Sequence, residues 1–252
     1  MNLKIILLPL FLLSGLALAD GAPGEKELDN ALQARQRLQQ LLSEQVDGQS
    51  PEDTAEFKTA AVKAGREMQS SLANAAKSGH PVARFYLAQL VDKQAIGNPK
   101  LRQEYCQLID KAAEGGLLAA AVVQIYKCDD GFRRQDFGDR EHRRMLLRLA
   151  RMAEVEDTNQ KWYPLPLFMG MCVPPPELVS IPGSQIPIRP SRMTSYTEFQ
   201  GEANLLLAIL AIPTFKRVDE ARSHIQKAET QECPEAVAFK EGLEKDIQRF
   251  QR

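Results

Sequence analysis

The residues with the most distinctive chemistry in this 252-residue chain are its four cysteines, Cys106, Cys128, Cys172 and Cys233. Cysteine thiolates serve as nucleophiles and metal ligands, and oxidised cysteines form disulfides. No two of the four are spaced as Cys-x-x-Cys, so neither a zinc site nor a thioredoxin-type redox motif is indicated. An even number of isolated cysteines predicts two disulfides if the chain folds in an oxidising compartment.

Three histidines, His80, His142 and His224, are the other candidate ligands or general bases. They are far apart in sequence, and none has a second ligand at metal-binding spacing. Because His142 and His224 lie in charged helical stretches, we interpret all three as ordinary surface histidines. The motifs G-x-S-x-G, S-x-x-K and H-E-x-x-H are absent, as is a phosphate-binding glycine loop. We therefore predict no catalytic residues, no metal, no cofactor and no enzymatic activity.

The first 19 residues have the organisation of a secretory signal peptide. Lys4 precedes an apolar run over residues 5–13, and residues 17–19 form an A-x-A cleavage site. No other apolar stretch is long enough to cross a bilayer, so we expect a periplasmic protein with no membrane span after cleavage at Ala19. The 32 basic and 33 acidic side chains are nearly balanced, which argues against a nucleic-acid partner.

The rest of the chain is rich in helix-forming residues and contains a self-similar pattern. Residues 75–83 and 112–120 share the pattern Ala-Ala-x-x-Gly-x-x-x-Ala at an offset of 37 residues. Weaker copies relate residues 83–90 to 203–210 and residues 109–112 to 225–228. Glycine ends a helix in the left-handed conformation, and small residues let antiparallel helices approach closely. One helix pair cannot bury its apolar face alone, so such copies must stack.

This pattern resembles that of the Sel-one-like repeat family, relatives of the tetratricopeptide repeats. The resemblance covers about residues 70–245 and is weakest over residues 150–175. It implies an all-α fold of antiparallel helix pairs stacked as a right-handed solenoid. The expected organisation is a signal peptide (1–19), an N-terminal helical cap (20–77) and a repeat domain (78–252). An ordinary helical bundle with chance Ala-Ala-x-x-Gly turns is the alternative.

The repeat geometry also makes a prediction about the disulfides. In an antiparallel helix pair, residues equidistant from the turn lie side by side. Cys106 and Cys128 are each 11 residues from Leu117, beside the Gly115-Gly116 turn, so we predict that they are bonded. Cys172 and Cys233 then pair by elimination, which is a weaker argument. Cysteine-rich secreted members of the resembled family contain bridges of this kind, whereas buried free thiols are the alternative.

One segment departs from the repeat pattern. Eight of the chain's 15 prolines lie between residues 164 and 190, and Glu177 is the single charge between Trp162 and Ile188. Proline prevents a continuous helix, so we predict a long loop between helices. We interpret residues 162–171 as a cover over the core. For residues 173–192, the Pro-rich insertion, a core cover and a stiff extended arm that contacts a partner remain equal alternatives.

A second candidate for partner contact is the polar stretch 129–144, which we call the rim. Charges of both signs surround two phenylalanines there, which fits either a recognition surface or a solvated loop. The candidate partner-binding residues are Pro174, Pro175, Pro176, Leu178, Ile181, Ile186 and Ile188 of the insertion and Phe132, Arg133, Arg134 and Phe137 of the rim.

These features together predict a non-enzymatic periplasmic solenoid that binds another protein. Small exported members of the resembled family are similar to immunity proteins that neutralise phospholipase toxins delivered to the periplasm by type VI secretion. The resemblance therefore implies a secreted lipase toxin as the partner. One alternative is a scaffold or adaptor in envelope assembly or signalling. Another is a secreted cysteine-rich repeat enzyme that binds or hydrolyses β-lactam-type cell-wall compounds.

Overall fold

The computed structural model describes residues 22–46, 54–92, 94–167, 170–173, 192–212 and 217–250. Over these ranges the chain is predominantly helical, as the all-α prediction requires, and it has one two-stranded antiparallel sheet. The expected signal peptide lies outside them. The elements are α1 (Glu25–Val46), α2 (Thr54–Lys77), α3 (Pro81–Asp92), α4 (Pro99–Glu114), α5 (Leu118–Cys128), α6 (Asp130–Arg134), α7 (Arg140–Glu154), β1 (Leu165–Leu167), β2 (Arg192–Thr194), α8 (Tyr196–Ala211), α9 (Val218–Thr230) and α10 (Glu235–Phe250).

Each of the first five helices packs against the next one in the chain. Further on, α5 contacts both α7 and α8, and α9 contacts both α8 and α10. This arrangement makes α5 and α8 the central helices. Every residue from Leu118 to Ile125 and from Gly201 to Ala208 is buried, as expected for helices that are apolar nearly all round.

Two turns that lie 37 residues apart in the chain share one backbone geometry. After α2 and after α4, the residue that follows the turn glycine donates its N–H to the carbonyl five residues earlier. These bonds end on Ala75 O at 3.0 Å and on Ala112 O at 3.3 Å. Gly79 and Gly116 have φ of +102° and +86°, a left-handed conformation that glycine adopts without strain. The predicted glycine turns are therefore confirmed at both positions.

Small residues lie where the pattern predicts close approach. Ala83, Ala120 and Ala208 are completely buried. A Cβ placed on Gly115 would lie 2.8 Å from Cβ of Pro81, so the turn between α4 and α5 packs directly on the start of α3. Side chains larger than alanine or glycine would separate these helices.

The two disulfides join the cysteines that the sequence paired. Cys106 of α4 is bonded to Cys128 at the end of α5, with the Cα atoms 5.6 Å apart. Cys172 is bonded to Cys233, in the turn between α9 and α10, with the Cα atoms 4.5 Å apart. Disulfides persist in oxidising compartments, which agrees with folding in such a compartment.

The first turn of α5 is capped by side chains from a distant part of the chain. Leu117 precedes this helix and has no capping side chain of its own. Asp157 Oδ2 accepts from Leu118 N–H at 3.0 Å, and the Tyr163 hydroxyl accepts from Ala119 N–H at 3.1 Å. The same hydroxyl donates to Asp157 Oδ2 at 2.8 Å. These bonds satisfy donors that the start of a buried helix would otherwise leave unpaired.

The strand β1 was not predicted, but its residues cover the core as expected for this part of the chain. Leu165 and Leu167 are 0% and 2% exposed. Their backbone pairs with β2, where Leu165 lies opposite Thr194 and Leu167 lies opposite Arg192. The pairing joins residues on either side of the Pro-rich insertion.

Candidate binding surface

The seven predicted partner contacts in the Pro-rich insertion lie outside the described residues. They are Pro174, Pro175, Pro176, Leu178, Ile181, Ile186 and Ile188. The structure does place the chain on both sides of them. Because β1 and β2 pair with each other, the chain approaches the insertion and returns from it through one small sheet.

Residues 170–173 are the last residues that the structure describes before residue 192. We call them the root. Cys172 is buried and is bonded to Cys233. Glu202 of α8 binds the root backbone, since its Oε1 accepts from Met171 N–H and its Oε2 from Cys172 N–H, each at 2.7 Å. A covalent bond and two hydrogen bonds therefore fix the root to the helical core.

Glu202 is a completely buried carboxyl group on a central helix. Burial raises its pKa, and the hydrogen bonds from Tyr126 and from the root backbone oppose this rise only in part. A Cβ on Gly170 would lie 2.7 Å from Glu202 Oε2, so a larger residue at this position would displace the carboxyl group. These contacts assign Glu202 the role of an internal acceptor that orders the root.

Tyr126 connects the root with the rim. Its hydroxyl donates to Glu202 Oε1, and its ring meets the ring of Phe132 edge-on with centroids 6.3 Å apart. Phe132, a predicted partner contact, is partly buried and packs against the core. The root, which leads into the insertion, and the rim thus both adjoin the C-terminal end of α5.

The rim is organised by a buried pair of side chains. Asp129 and His142 are each 1% exposed, and His142 Nδ1 donates to Asp129 Oδ2 at 2.6 Å. Asp129 Oδ1 accepts from Phe132 N–H at 2.9 Å and so caps α6. A Cβ on Gly131 would lie 2.7 Å from Cβ of His142, which shows that α6 and α7 are in close contact. Asp129 and His142 therefore belong to the core, whereas residues 133–138, from the end of α6 to the turn before α7, are exposed.

The other three predicted contacts of the rim are exposed. Arg133 forms an ion pair with Asp130, and Arg134 Nε donates to Asp130 O at 3.3 Å. Phe137 is 37% exposed, and its ring centroid lies 5.6 Å from that of His142. A partner could therefore contact two arginines and one aromatic ring on the outside of the rim.

The histidines are buried, which corrects their interpretation as surface residues. His80, His142 and His224 are 3%, 1% and 8% exposed. His224 Nδ1 donates to Asn204 Oδ1 at 2.8 Å, and burial lowers the pKa of both His80 and His224. They lie in the turn after α2, in α7 and in α9, so the fold does not bring them together.

His80 lines a cleft of about 350 Å³ between the start of α1 and residues 158–162. Its ring meets Trp162 edge-on at 5.5 Å, and its Nδ1 has no hydrogen-bond partner among the described residues. Lys161 and Glu25 form an ion pair in the same cleft. The cleft offers a ligand a buried imidazole and an indole ring, while its two charged side chains neutralise each other.

A second cleft, of about 400 Å³, lies between α4, α5, α6 and α7. Beside it, Asp110 accepts from Gln124 at 2.6 Å, from Arg148 at 2.7 Å and from Arg144 at 2.9 Å. Burial favours a higher pKa for Asp110, but these three hydrogen bonds outweigh it and lower the pKa below the usual value. The carboxylate is thus held ionised as a structural partner of two arginines.

Within the described ranges, no group of three or more His, Cys, Asp or Glu side chains is placed to hold a metal ion. None of the helices in those ranges has the length and apolarity needed to cross a membrane.

No family model, no curated protein and no solved structure matches this chain.

Sequence reasoning did not single out Glu202 or Tyr126, although both organise the surface. A signal was present for Glu202, since it precedes the uncharged run 203–211, in which Asn204 is the one polar residue. A charged residue in such a helix is buried with partners. No comparable signal marks Tyr126, whose partner lies 76 residues away.

Proposed function

We propose that this protein is a non-enzymatic periplasmic binding protein, and specifically an immunity protein that neutralises a phospholipase delivered to the periplasm. The proposal includes export by the N-terminal signal peptide and membership of the Sel-one-like repeat family, with the helix pairs stacked as a solenoid. The partner surface consists of the Pro-rich insertion together with the exposed side of the rim.

The main observation in support of this proposal is that Tyr126 connects the root of the insertion with the rim. The root before the insertion is held by Glu202 and by the Cys172–Cys233 disulfide. Tyr126 contacts both Glu202 and Phe132. The root and the rim, whose backbones are both anchored, therefore lie against the C-terminal end of α5. Segments that are fixed in advance lose less conformational entropy on binding, which favours affinity.

The two turn geometries and the disulfides support the other parts of the proposal. The hydrogen bonds after α2 and α4 recur at the 37-residue offset, which favours the repeat interpretation. Two disulfides favour an oxidising location such as the periplasm. The step from this architecture to a phospholipase partner rests on the sequence resemblance alone.

The test uses each exported phospholipase encoded beside the gene for this chain. Co-production of the full-length protein should restore the growth of cells that export the phospholipase, and a form without residues 1–19 should not. Purified oxidised protein should bind the phospholipase in titration calorimetry. If none of these phospholipases binds and none is neutralised, the proposed function is wrong.

A variant of the Pro-rich insertion tests whether the partner binds there. Replacement of residues 174–190 by a Gly/Ser linker of equal length retains the root and Arg192. It should weaken binding at least about tenfold, which corresponds to about 1.4 kcal/mol. The matched control replaces residues 94–97, the exposed turn between α3 and α4, and should bind normally. An insertion variant that unfolds by circular dichroism would support the core-cover interpretation, and one that folds and binds normally would exclude the insertion from the interface.

A further inference from the structure

Helix α7 has one buried apolar side and one exposed side. His142, Met145, Leu149 and Met152 face inward and are buried. Arg140, Arg143, Leu147, Arg151 and Val155 recur at intervals of three or four residues on the opposite side, with Val155 directly after the last helical residue. Residues at this spacing share one face of a helix. We call these five residues the outer face.

The outer face combines unpaired positive charge with exposed apolar area. Leu147 is 72% exposed and Val155 is 60% exposed, among the largest values for apolar side chains in the described ranges. Arg140, Arg143 and Arg151 are exposed, and none of them forms an ion pair or hydrogen bond with another described side chain. The carboxylate on the same side of α7 is Glu154, in the last turn.

The neighbouring arginines of α7 show that this lack of partners is specific to the outer face. Arg144 and Arg148, on the flank toward α4, both bind Asp110, and Arg148 also binds Glu114. The same helix thus pairs its flanking guanidinium groups within the fold, whereas the outward ones have no partner among the described side chains. Such an uncompensated set of cations is complementary to an acidic surface.

We infer that the outer face of α7 docks an acidic surface of a partner protein, whose carboxylates bind the three arginines and whose apolar pocket receives Leu147. This inference rests on the proposed function, because it specifies the chemistry of the partner that a binding protein would take. The outer face begins six residues after Arg134 of the rim, so it extends the same surface along α7.

The division of α7 favours a protein partner over an anionic membrane. A helix that lies in a bilayer interface inserts a broad apolar face below its basic residues. In α7 that broad apolar face is packed into the core, and the outer face has only two apolar side chains. Two separated apolar anchors among guanidinium groups are typical of a protein interface, where arginine is enriched.

The test probe is a fluorescein-labelled helical peptide with glutamates at three- and four-residue spacing around a leucine stripe. The full-length oxidised protein should bind it, and exchange of its glutamates for glutamine should abolish binding. Combined Arg140→Glu, Arg143→Glu and Arg151→Glu substitutions should weaken binding at least about tenfold. The matched control carries Lys58→Glu, Lys63→Glu and Arg66→Glu on the exposed side of α2, which changes the net charge equally, and it should bind normally.

Every other outcome contradicts either the α7 inference or the proposed function. Equal weakening in the two triple variants would show general charge attraction and overturn the inference. So would binding to phosphatidylglycerol vesicles without binding to the peptide, or self-association through α7 in sedimentation. Peptide binding at α7 without any phospholipase binding would refute the proposed function alone. A phospholipase that binds the α7 variant and the wild type equally would refute only the α7 inference.

Discussion

Glu232 occupies the position in the turn between α9 and α10 that Gly116 occupies in the turn between α4 and α5. Both have a positive φ, +60° at Glu232 and +86° at Gly116. In both turns the next residue donates its N–H to the carbonyl five residues earlier, which for Cys233 is Ala228 O at 3.2 Å. A side chain in the left-handed region is strained because its Cβ approaches the following carbonyl. The turn between α9 and α10 therefore has the backbone geometry of the glycine turn, with a residue at the left-handed position that is poorly suited to it.

Glu232→Gly should therefore stabilise the protein. Relief of the left-handed strain is worth about 1–2 kcal/mol, and the added freedom of glycine in the unfolded chain offsets about 0.4–1 kcal/mol of it. We expect a net gain of about 0.5–1 kcal/mol in the free energy of unfolding, measured by urea denaturation of the oxidised protein. Glu232→Ala, which removes the side chain but keeps Cβ, is the control and should give no such gain. An equal effect of the two substitutions would show that backbone strain is not the cause.

The glycine turns could be predicted from sequence because a left-handed conformation is a local property of the residue. The turn at Glu232 could not, since tertiary contacts impose its conformation against the local preference. The pairing of Cys106 with Cys128 followed from the same local regularity, because equal distances from a turn place residues side by side in an antiparallel helix pair. The helical fold and one of its covalent links were thus accessible from periodicity.

The histidines were predicted wrongly because burial depends on partners that sequence spacing does not reveal. His142 lies in a highly charged stretch, yet its ring is buried against Asp129, 13 residues earlier. Strand β1 was missed for the same reason, since its pairing partner follows the Pro-rich insertion. The long-range contacts of Glu202 and Tyr126 likewise depend on how α5 and α8 pack. Sequence therefore suggested candidate segments for partner contact but did not reveal the buried contacts that anchor the chain beside them.

The buried alanines of the repeat pattern should not tolerate larger side chains. Ala83, Ala120 and Ala208 are completely buried, so leucine at any of them must separate packed helices. We expect each substitution to lower the free energy of unfolding by roughly 1–3 kcal/mol. Ala73→Leu on the exposed side of α2 is the matched control and should have little effect. Unchanged urea midpoints for all three buried positions would show that these alanines do not set the distance between helices.

The two disulfides should differ in their reaction with reductants. Cys106 and Cys128 are partly exposed and line the cleft between α4, α5, α6 and α7, whereas Cys172 and Cys233 are 4% and 2% exposed. Thiol–disulfide exchange requires access of the attacking thiolate to sulfur. Under limiting dithiothreitol, iodoacetamide should therefore label Cys106 and Cys128 first, as read by peptide mass mapping. Labelling of Cys172 and Cys233 first, or of all four together, would contradict this order.

Loss of the cleft disulfide should destabilise the protein without unfolding it. The bond closes a loop with a sequence separation of 22 residues, and a loop of this size contributes about 3 kcal/mol in the chain-entropy model. A Cys106→Ser, Cys128→Ser variant should thus remain helical by circular dichroism with a lower urea midpoint. It also keeps the Cys172–Cys233 bond, so its binding to a partner should be retained. A loss of binding in this folded variant would place the α4–α5 pair within the interface.

The buried carboxyl group of Glu202 should make stability fall as pH rises. Burial raises its pKa above the ordinary 4.5, so the folded state binds this proton more tightly than the unfolded state does. The stabilising contribution of the bound proton is complete below pH 4.5 and is lost as the pH rises through the folded-state pKa. The unfolding free energy attributable to Glu202 therefore declines from pH 4.5 upward and then levels off.

Glu202→Gln should remove this decline while lowering stability at every pH. Glutamine cannot titrate, and its amide nitrogen would face the N–H of Met171 or Cys172, which leaves a buried donor unpaired at a cost of about 1–3 kcal/mol. Urea midpoints measured from pH 4.5 to 8 should give a flatter profile for the variant than for the wild type. Glu241→Gln, an exposed position on α10, should reproduce the wild-type profile. Parallel profiles for the wild type and Glu202→Gln would show that another group titrates, and that the root of the insertion is not held by an ionising carboxyl group.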